Sequence, residues 1–364
     1  MQPLSQPEVS TMTSLETASL PIVDLQKAKD PAQRLAVAKQ LVHALETVGF
    51  LFVDNAEGYE SERLLNNARW FFNLSEQEKL LVSRKLWNRE SRNYYRGYFP
   101  LQPGEVSFKE GFEIGQDNPS SSNSESRSLS IHPFFTEANL WPSTDTEGAH
   151  QFHQDLVEHY RVVRNCGAEI LRLVSLGCGL EENWFESLFF PDSLSTLRLL
   201  HYPVRGEVAD KARDGNTVLC CSEHSDSGFV TLLSTFNYGG LQILQDGSDE
   251  WTAVPSRPQS LVMNIGDMLS AMSGGRFKAT RHRVVDTRVD RFSVPFFFEP
   301  HYAANITRVM PSMSQQCARE VTGDGASESA ECHYGPWLIE KMRSFAEYRE
   351  ILDSFTRGNT HAKA

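Results

Sequence analysis

Residues 222–233, SEHSDSGFVTLL, decide how the rest of the chain is read. They set His224 and Asp226 one residue apart, just ahead of an apolar run with strand character. In extended backbone residues i and i+2 point the same way, so an imidazole and a carboxylate can be presented to one point. A third ligand is available in TRHRVVD (280–286), which places His282 at the start of another apolar strand. Two histidines and a carboxylate on one side of a metal leave the other side open, the arrangement that suits non-haem Fe(II) oxygen chemistry. His-x-Asp is a weak pattern in a chain with 11 histidines. The plainer alternative makes His224 a turn residue and His282 a surface residue between Arg281 and Arg283.

The strand downstream of His282 adds weight to the metal reading. In RFSVPFFFEP (291–300), Arg291 and Ser293 share a strand face. A guanidinium fork beside a hydroxyl makes a receptor for a carboxylate held deep in an apolar barrel. The alternative is an arginine forming a surface pair at a strand edge. Period-two reasoning continues the same face to Phe297 and Glu299, and puts Arg198 on the face of Tyr202 in TLRLLHYP (196–203). We take Phe297 as a packing wall of a substrate pocket and Glu299 and Arg198 as its polar selectors. Phe112 in KEGFEIG and Tyr95 and Arg96 in YYRGY are further substrate-binding candidates.

Outward from this centre, residues 196–300 are short strands separated by Gly and Pro turns: TLRLLHYPV, GFVTLLSTF, GGLQIL, WTAVP, SLVMNIGDML, HRVVDT and RFSVPFFFEP. That texture predicts a double-sheet jelly roll. Upstream, DPAQRLAVAKQLVHALETVG predicts an amphipathic helix with apolar positions Leu35, Val37, Leu41, Leu45 and Val48, ending at Gly49. Ser75 and Glu78 are spaced as a capping box, and residues 150–180 carry the longest helical pattern. The expected fold is α+β: a double-stranded β-helix core flanked by N-terminal, central and C-terminal helices. The expected organisation is a disordered arm over 1–18 and one catalytic domain over 19–360. Within it lie an N-terminal α/β part (19–116), a long exposed loop (117–149), helices (150–190), the core (196–300) and a helical C-terminal part (301–360).

Composition sets outer bounds. The chain has 364 residues, 40% of them hydrophobic, enough for a large core. A formal charge of -12 with no Lys/Arg cluster argues against nucleic acid as a partner. No run approaches the ~20 apolar residues of a membrane span, and the first residues lack the layout of a secretory signal; we expect a cytoplasmic protein, monomeric by default. Cys166, Cys178, Cys220, Cys221, Cys317 and Cys332 show no Cys-x-x-Cys spacing and read as reduced, mostly buried thiols.

From LPIVDL and VGFLFV through FFNLSEQEK, RGYFPL, HSD, GGLQIL, VMNIGDML and HRVV to RFSVPFFFEP, the chain resembles the 2-oxoglutarate/Fe(II)-dependent dioxygenases, in particular the isopenicillin N synthase-like branch. The resemblance implies His224, Asp226 and His282 as iron ligands, Arg291 with Ser293 as the clamp on the distal carboxylate of 2-oxoglutarate, and Tyr202 as a further contact to that co-substrate. Leu200 departs from it, since many relatives carry Asn there and so make one more polar contact. The implied reaction takes Fe(II), 2-oxoglutarate and O2 and oxidises a small-molecule metabolite, releasing succinate and CO2. Hydroxylation is the default outcome, with desaturation or cyclisation as variants. An isopenicillin N synthase-like oxidase that does without 2-oxoglutarate, and a non-catalytic small-molecule-binding relative, remain alternatives.

Overall fold

The computed structural model describes residues 16–102, 106–117, 131–190, 192–206, 212–215, 217–307, 310, 332–343, 348–349 and 352–353. The N-terminal half contributes β1 (Ile22–Asp24), α1 (Leu25–Ala28), α2 (Pro31–Thr47), β2 (Phe50–Asp54), α3 (Ser61–Phe72), α4 (Glu76–Leu81), β3 (Gly97–Phe99) and β4 (Glu110–Ile114). After these come α5 (Ala149–Gly177), α6 (Glu186–Phe189), β5 (Thr196–Tyr202), β6 (Arg213–Asp214), β7 (Thr217–His224), β8 (Val230–Ser234), β9 (Leu241–Leu244) and β10 (Thr252–Ala253). Last are β11 (Leu261–Ile265), α7 (Asp267–Met272), β12 (Arg281–Val285), β13 (Arg291–Phe298) and α8 (Tyr334–Met342).

Two sheets form the expected jelly roll. The larger has the order β1-β2-β11-β8-β13-β5-β4-β3, and the smaller β10-β9-β12-β7-β6. Alternation along each strand of the larger sheet divides its side chains between two environments. Leu51, Val53, Leu197, Leu199, Leu232, Leu261, Met263, Val294, Phe296 and Phe298 join the cores of α2, α3 and α5 in one cluster. The opposite parity, Phe50, Phe52, Leu200, Tyr202 and Val262, meets Cys220, Leu241, Ile243 and Val284 of the smaller sheet in a second cluster between the sheets.

The helices are held by the signals read in the sequence. Asp30 caps α2 by accepting from the Ala32 amide at 2.9 Å, with Pro31 at the first turn. Ser75 and Glu78 form the reciprocal capping box of α4. Val37, Leu41 and Leu45 are buried, but Leu35 is exposed, so the buried stripe of α2 begins later than the pattern suggested.

Elsewhere the structure departs from the pattern of the sequence. Most of the 1–18 arm lies outside the described residues, but Thr17 bridges to Ala253 and Ala18 is buried, so this end adds a rung to the smaller sheet. The 117–149 loop is not simply an exposed crossing. Its described part contains a short 3-10 helix at Pro133–Phe135 with Phe134 fully buried, because an aromatic pair there fills a hydrophobic cluster with Tyr302 and Met342. In VMNIGDML the strand stops at Ile265 and Asp267 starts a helix. Of the expected C-terminal helical part, α8 is described and most of the remainder lies outside the described residues. The described cysteines are free thiols, with Cys166 and Cys220 buried and Cys178, Cys221 and Cys332 half-buried; Cys317 lies outside the described residues.

Candidate metal centre and co-substrate pocket

His224 is the last residue of β7, and Asp226 stands in the turn between β7 and β8. His282 on β12 pairs directly with His224 across an antiparallel ladder. The turn and the pairing, not a single extended segment, therefore bring the three side chains together. Ligand atoms from all three lie within 4.8 Å of one another, and each Nε2 is 3.7 Å from Asp226 Oδ1.

The surrounding groups aim these atoms. His224 Nδ1 faces the Ser222 carbonyl at 2.8 Å and His282 Nδ1 the Thr280 carbonyl at 3.2 Å. A carbonyl can only accept, so each Nδ1 must donate, which leaves both Nε2 lone pairs free toward the shared centre when the rings are neutral. Asp226 Oδ2 accepts from Thr231 Oγ1 at 2.5 Å and Asn264 Nδ2 at 2.7 Å, turning Oδ1 toward the imidazoles. Burial pushes the Asp226 carboxyl up, but His282, His224 and these two donors together hold it below the usual range. Burial lowers His282. At His224 burial is outweighed by the Cys221 thiol and Asp226, which lift it to about 9.

Backbone hydrogen bonds seat the Asp226 turn on the start of α7. Asp226 O accepts from the Asp267 amide at 2.8 Å, and Ser227 and Gly228 carbonyls accept from Met268. A Cβ on Gly266 would collide with the Gly228 carbonyl oxygen, so only glycine permits this approach.

One transverse row of the larger sheet supports the centre. Register places Phe50 beside Asn264, Asn264 beside Thr231, Thr231 beside Phe297 and Phe297 beside Thr196. Phe50 packs edge-on against His282 with centroids 5.4 Å apart. Phe297 thus borders the residue that orients Asp226, on the face where the sequence placed it. The centre is open on one side: 41% of the His224 side chain is exposed, against 10% for His282.

Arg291, Ser293 and Tyr202 also meet. Arg291 pairs with Tyr202 and Ser293 with Leu200 across β13 and β5, and the Arg291 guanidinium lies 4.7 Å over the Tyr202 ring. Arg291 Nε donates to Gly239 O at 3.0 Å, whereas its Nη1 is buried with no hydrogen-bond partner among the described residues. A buried, unsatisfied guanidinium nitrogen is costly. Its cost is relieved by a bound carboxylate, so this site fits an organic acid. The donor set of two Nε2 atoms and one carboxylate oxygen fits Fe(II).

The remaining candidates separate. Arg198 lies 5.3 Å over Phe297 and forms an ion pair with Glu113. Tyr95 is an electrostatic neighbour of both Arg198 and Glu113. Glu299 accepts from the Tyr334 hydroxyl and packs on Gly228, so it ties α8 to the Asp226 turn; burial, then nearby Asp226, raises its carboxyl well above the usual range. Two candidates are corrected. Phe112 has the wrong parity: it is fully buried against Phe71, 4.4 Å between centroids, in the helix-side core. Arg96 is buried with its guanidinium donating to the Glu137 carbonyl, where it secures the 131–139 turn. Sequence reasoning missed Glu113 and Arg84. The alternation of Phe112 with Ile114 was the available signal that Gly111 and Glu113 face the other way.

Fold and site together present a two-histidine, one-carboxylate group able to hold a metal ion within a jelly roll, and a buried arginine nitrogen able to receive a carboxylate. Residues 195–300 match the 2OG-Fe(II) oxygenase superfamily, and residues 20–144 match the family described as non-haem dioxygenase in morphine synthesis N-terminal. The 2-oxoglutarate-Fe(II) type oxidoreductase hxnY of Emericella nidulans is 30% identical over 296 residues, covering 76% of this chain and 78% of the relative. Isopenicillin N synthase of Streptomyces jumonjinensis is 26% identical, covering 91% and 96%. The structure of a full-length Neurospora crassa protein in complex with alpha-KG and 5-formyluracil superposes with a TM-score of 0.70 at 25% identity, covering 90% of this chain and 96% of that one. This chain belongs to the 2-oxoglutarate- and Fe(II)-dependent oxygenase superfamily and is an oxidoreductase of that class. Among the described residues no helix is long and apolar enough to cross a membrane.

Proposed function

We propose that His224, Asp226 and His282 hold Fe(II), that Arg291, Ser293 and Tyr202 receive 2-oxoglutarate, and that the protein oxidises a small-molecule metabolite with release of succinate and CO2. Hydroxylation is the default outcome. The observation that carries the co-substrate assignment is the buried Arg291 Nη1 without a partner among the described residues, beside Ser293 and Tyr202. Bound iron supplies the O2 and redox chemistry. This chain's residues supply the rest: Ser222 and Thr280 carbonyls fix the imidazole tautomers, Thr231 and Asn264 aim Asp226, and Phe50 and Phe297 keep the surroundings apolar and exclude water.

The negative charge of -12 supports a small molecule rather than nucleic acid as substrate, and we assign the protein to the cytoplasm as a monomer. The test is an anaerobic titration with Fe(II) and 2-oxoglutarate, followed through the visible charge-transfer band of the chelate, with Arg291→Met as comparison. The wild type is expected to bind the co-substrate about 100-fold more tightly than the variant, as loss of a charge-assisted pair requires. Equal affinities would overturn the Arg291 assignment. Product formation without 2-oxoglutarate would overturn the co-substrate assignment in favour of an oxidase.

A further inference from the structure

The turn that carries Asp226 is held from two sides. The start of α7 holds one side through backbone hydrogen bonds. On the other lies Glu299, one residue past the end of β13. A Cβ on Gly228 would collide with Glu299 Oε1, so the carboxyl rests on the backbone of the turn and only glycine leaves it room. Glu299 is itself fixed at both ends: its backbone amide donates to Ser195 Oγ at 3.0 Å, and its Oε2 accepts from the Tyr334 hydroxyl.

Tyr334 is the first residue of α8 and is fully buried. Its ring lies 6.3 Å from that of Phe229, which follows the turn, and 5.6 Å from that of Trp337. All three share one apolar cluster with Met268 and Met272 of α7. Backbone bonds bring α8 to this place: the Tyr334 amide donates to Ala304 O at 2.9 Å and the Gly335 amide to Tyr302 O at 2.8 Å, while the Met310 amide donates to Met272 O at 3.1 Å. One hydroxyl-to-carboxyl bond therefore joins α8 to the support of the Asp226 turn inside an apolar surround. Losing either partner there leaves the other buried without its bond, so the contact is stringent.

We propose, resting on the reading of His224, Asp226 and His282 as metal ligands, that Tyr334 and Glu299 form a latch through which docking of α8 and metal binding strengthen each other. Docked α8 holds Glu299 on Gly228 and narrows the positions open to the turn, so that Asp226 is preset for the ion. An ion on Asp226 fixes the same turn and so favours docked α8. Such coupling is reciprocal: each event raises the affinity of the other by the same factor. The event it acts on is local opening of α8, well short of global unfolding. Tyr334 and Glu299 are positioning residues, acting through the turn rather than as ligands.

The experiment uses the full chain with Mn(II) as the only added ligand. Affinity is measured by calorimetry, and amide hydrogen exchange of α8 is followed by mass spectrometry with and without saturating Mn(II). In the wild type, Mn(II) is expected to slow exchange in α8. Tyr334→Phe keeps the ring in its apolar seat and removes only the hydroxyl, so it is expected to fold. Its Mn(II) affinity should fall about 5-fold or more, an ordinary size for coupling between two sites, and exchange in α8 should no longer respond to the metal. Glu299→Gln retains an oxygen that can accept from Tyr334 and should preserve both properties. A purely structural contact would leave exchange in α8 indifferent to saturating Mn(II), and that result would overturn the proposal. So would unchanged affinity in Tyr334→Phe, or loss of the metal response in Glu299→Gln. A wild type that binds no Mn(II) would instead overturn the metal reading of the three side chains, and the latch with it.

Discussion

The two faces of the eight-stranded sheet are made by the same strands yet have opposite chemistry. On β13, Phe292, Val294, Phe296 and Phe298 sink into the helix-side core, while the alternate positions are Arg291, Ser293, Pro295 and Phe297. On β11, Met263 and Ile265 point to the helices and Asn264 to the metal centre. Strand pleating lets one backbone be scaffold on one side and reagent holder on the other. The energies differ too: the outer, helix-side face contributes stability through apolar burial, while the inner face, toward the smaller sheet, combines an apolar cluster around Phe50, Phe52, Leu200 and Val262 with the polar groups of the candidate site.

Breaking each face should therefore give different failures. The largest effect is expected from Asp226→Asn, which keeps side-chain shape and removes the ligand charge. Fe(II) or Mn(II) affinity by calorimetry should drop by more than the roughly 10- to 100-fold typical of losing a supporting group, while thermal stability of the metal-free protein changes little. A fall in stability with metal affinity intact would erase the contrast. Phe296→Ala, on the outer face, should do the reverse. It should cost about 3–5 kcal/mol in denaturant unfolding, with the folded fraction binding metal and 2-oxoglutarate as before.

Thr231→Val sharpens the inner-face half. It removes a donor to Asp226 with little change in volume, and metal affinity should fall about 10- to 100-fold. The smallest effect concerns His201, which alternates with Leu200 and Tyr202 on β5 and so faces the helix side. It is hydrogen-bonded to Glu110 and Asp290, both at 2.7 Å, and stacked on Phe292. Burial opposes its charge, yet Glu110 and Asp290 outweigh burial and raise its pKa. The stabilisation is then complete below the ordinary imidazole value of about 6.5 and is lost as pH rises through the raised folded-state value. The Tm of the wild type should decline relative to His201→Gln across that window, with co-substrate affinity untouched.

Much of this is legible in the sequence because strand parity is a local property. Ser293 and Phe297 follow from Arg291 by counting by twos, and Arg198 follows from Tyr202 in the same way, Tyr202 itself having come from the family resemblance. Phe112 is harder because KEGFEIG offers both parities a case: Gly111 and Glu113 on one, Phe112 and Ile114 on the other, with no inward residue fixed on that strand. The alternation of Phe112 with Ile114 hints at the face of Glu113, but its role becomes readable through its pairing with Arg198, a contact between segments distant in sequence. The Asp226 turn looks like strand for a similar reason. What bends the chain there is the N-terminus of α7 and the glycine at 266, neither of which is near His224 in the sequence.

The unequal cover of the two imidazoles carries a practical consequence. With His224 at the open edge and His282 sealed beneath Phe50, an ion held here would exchange with solution past His224. Small chelators reaching that edge are then expected to strip the ion, and added ferrous salt to restore it, which metal content before and after dialysis would check.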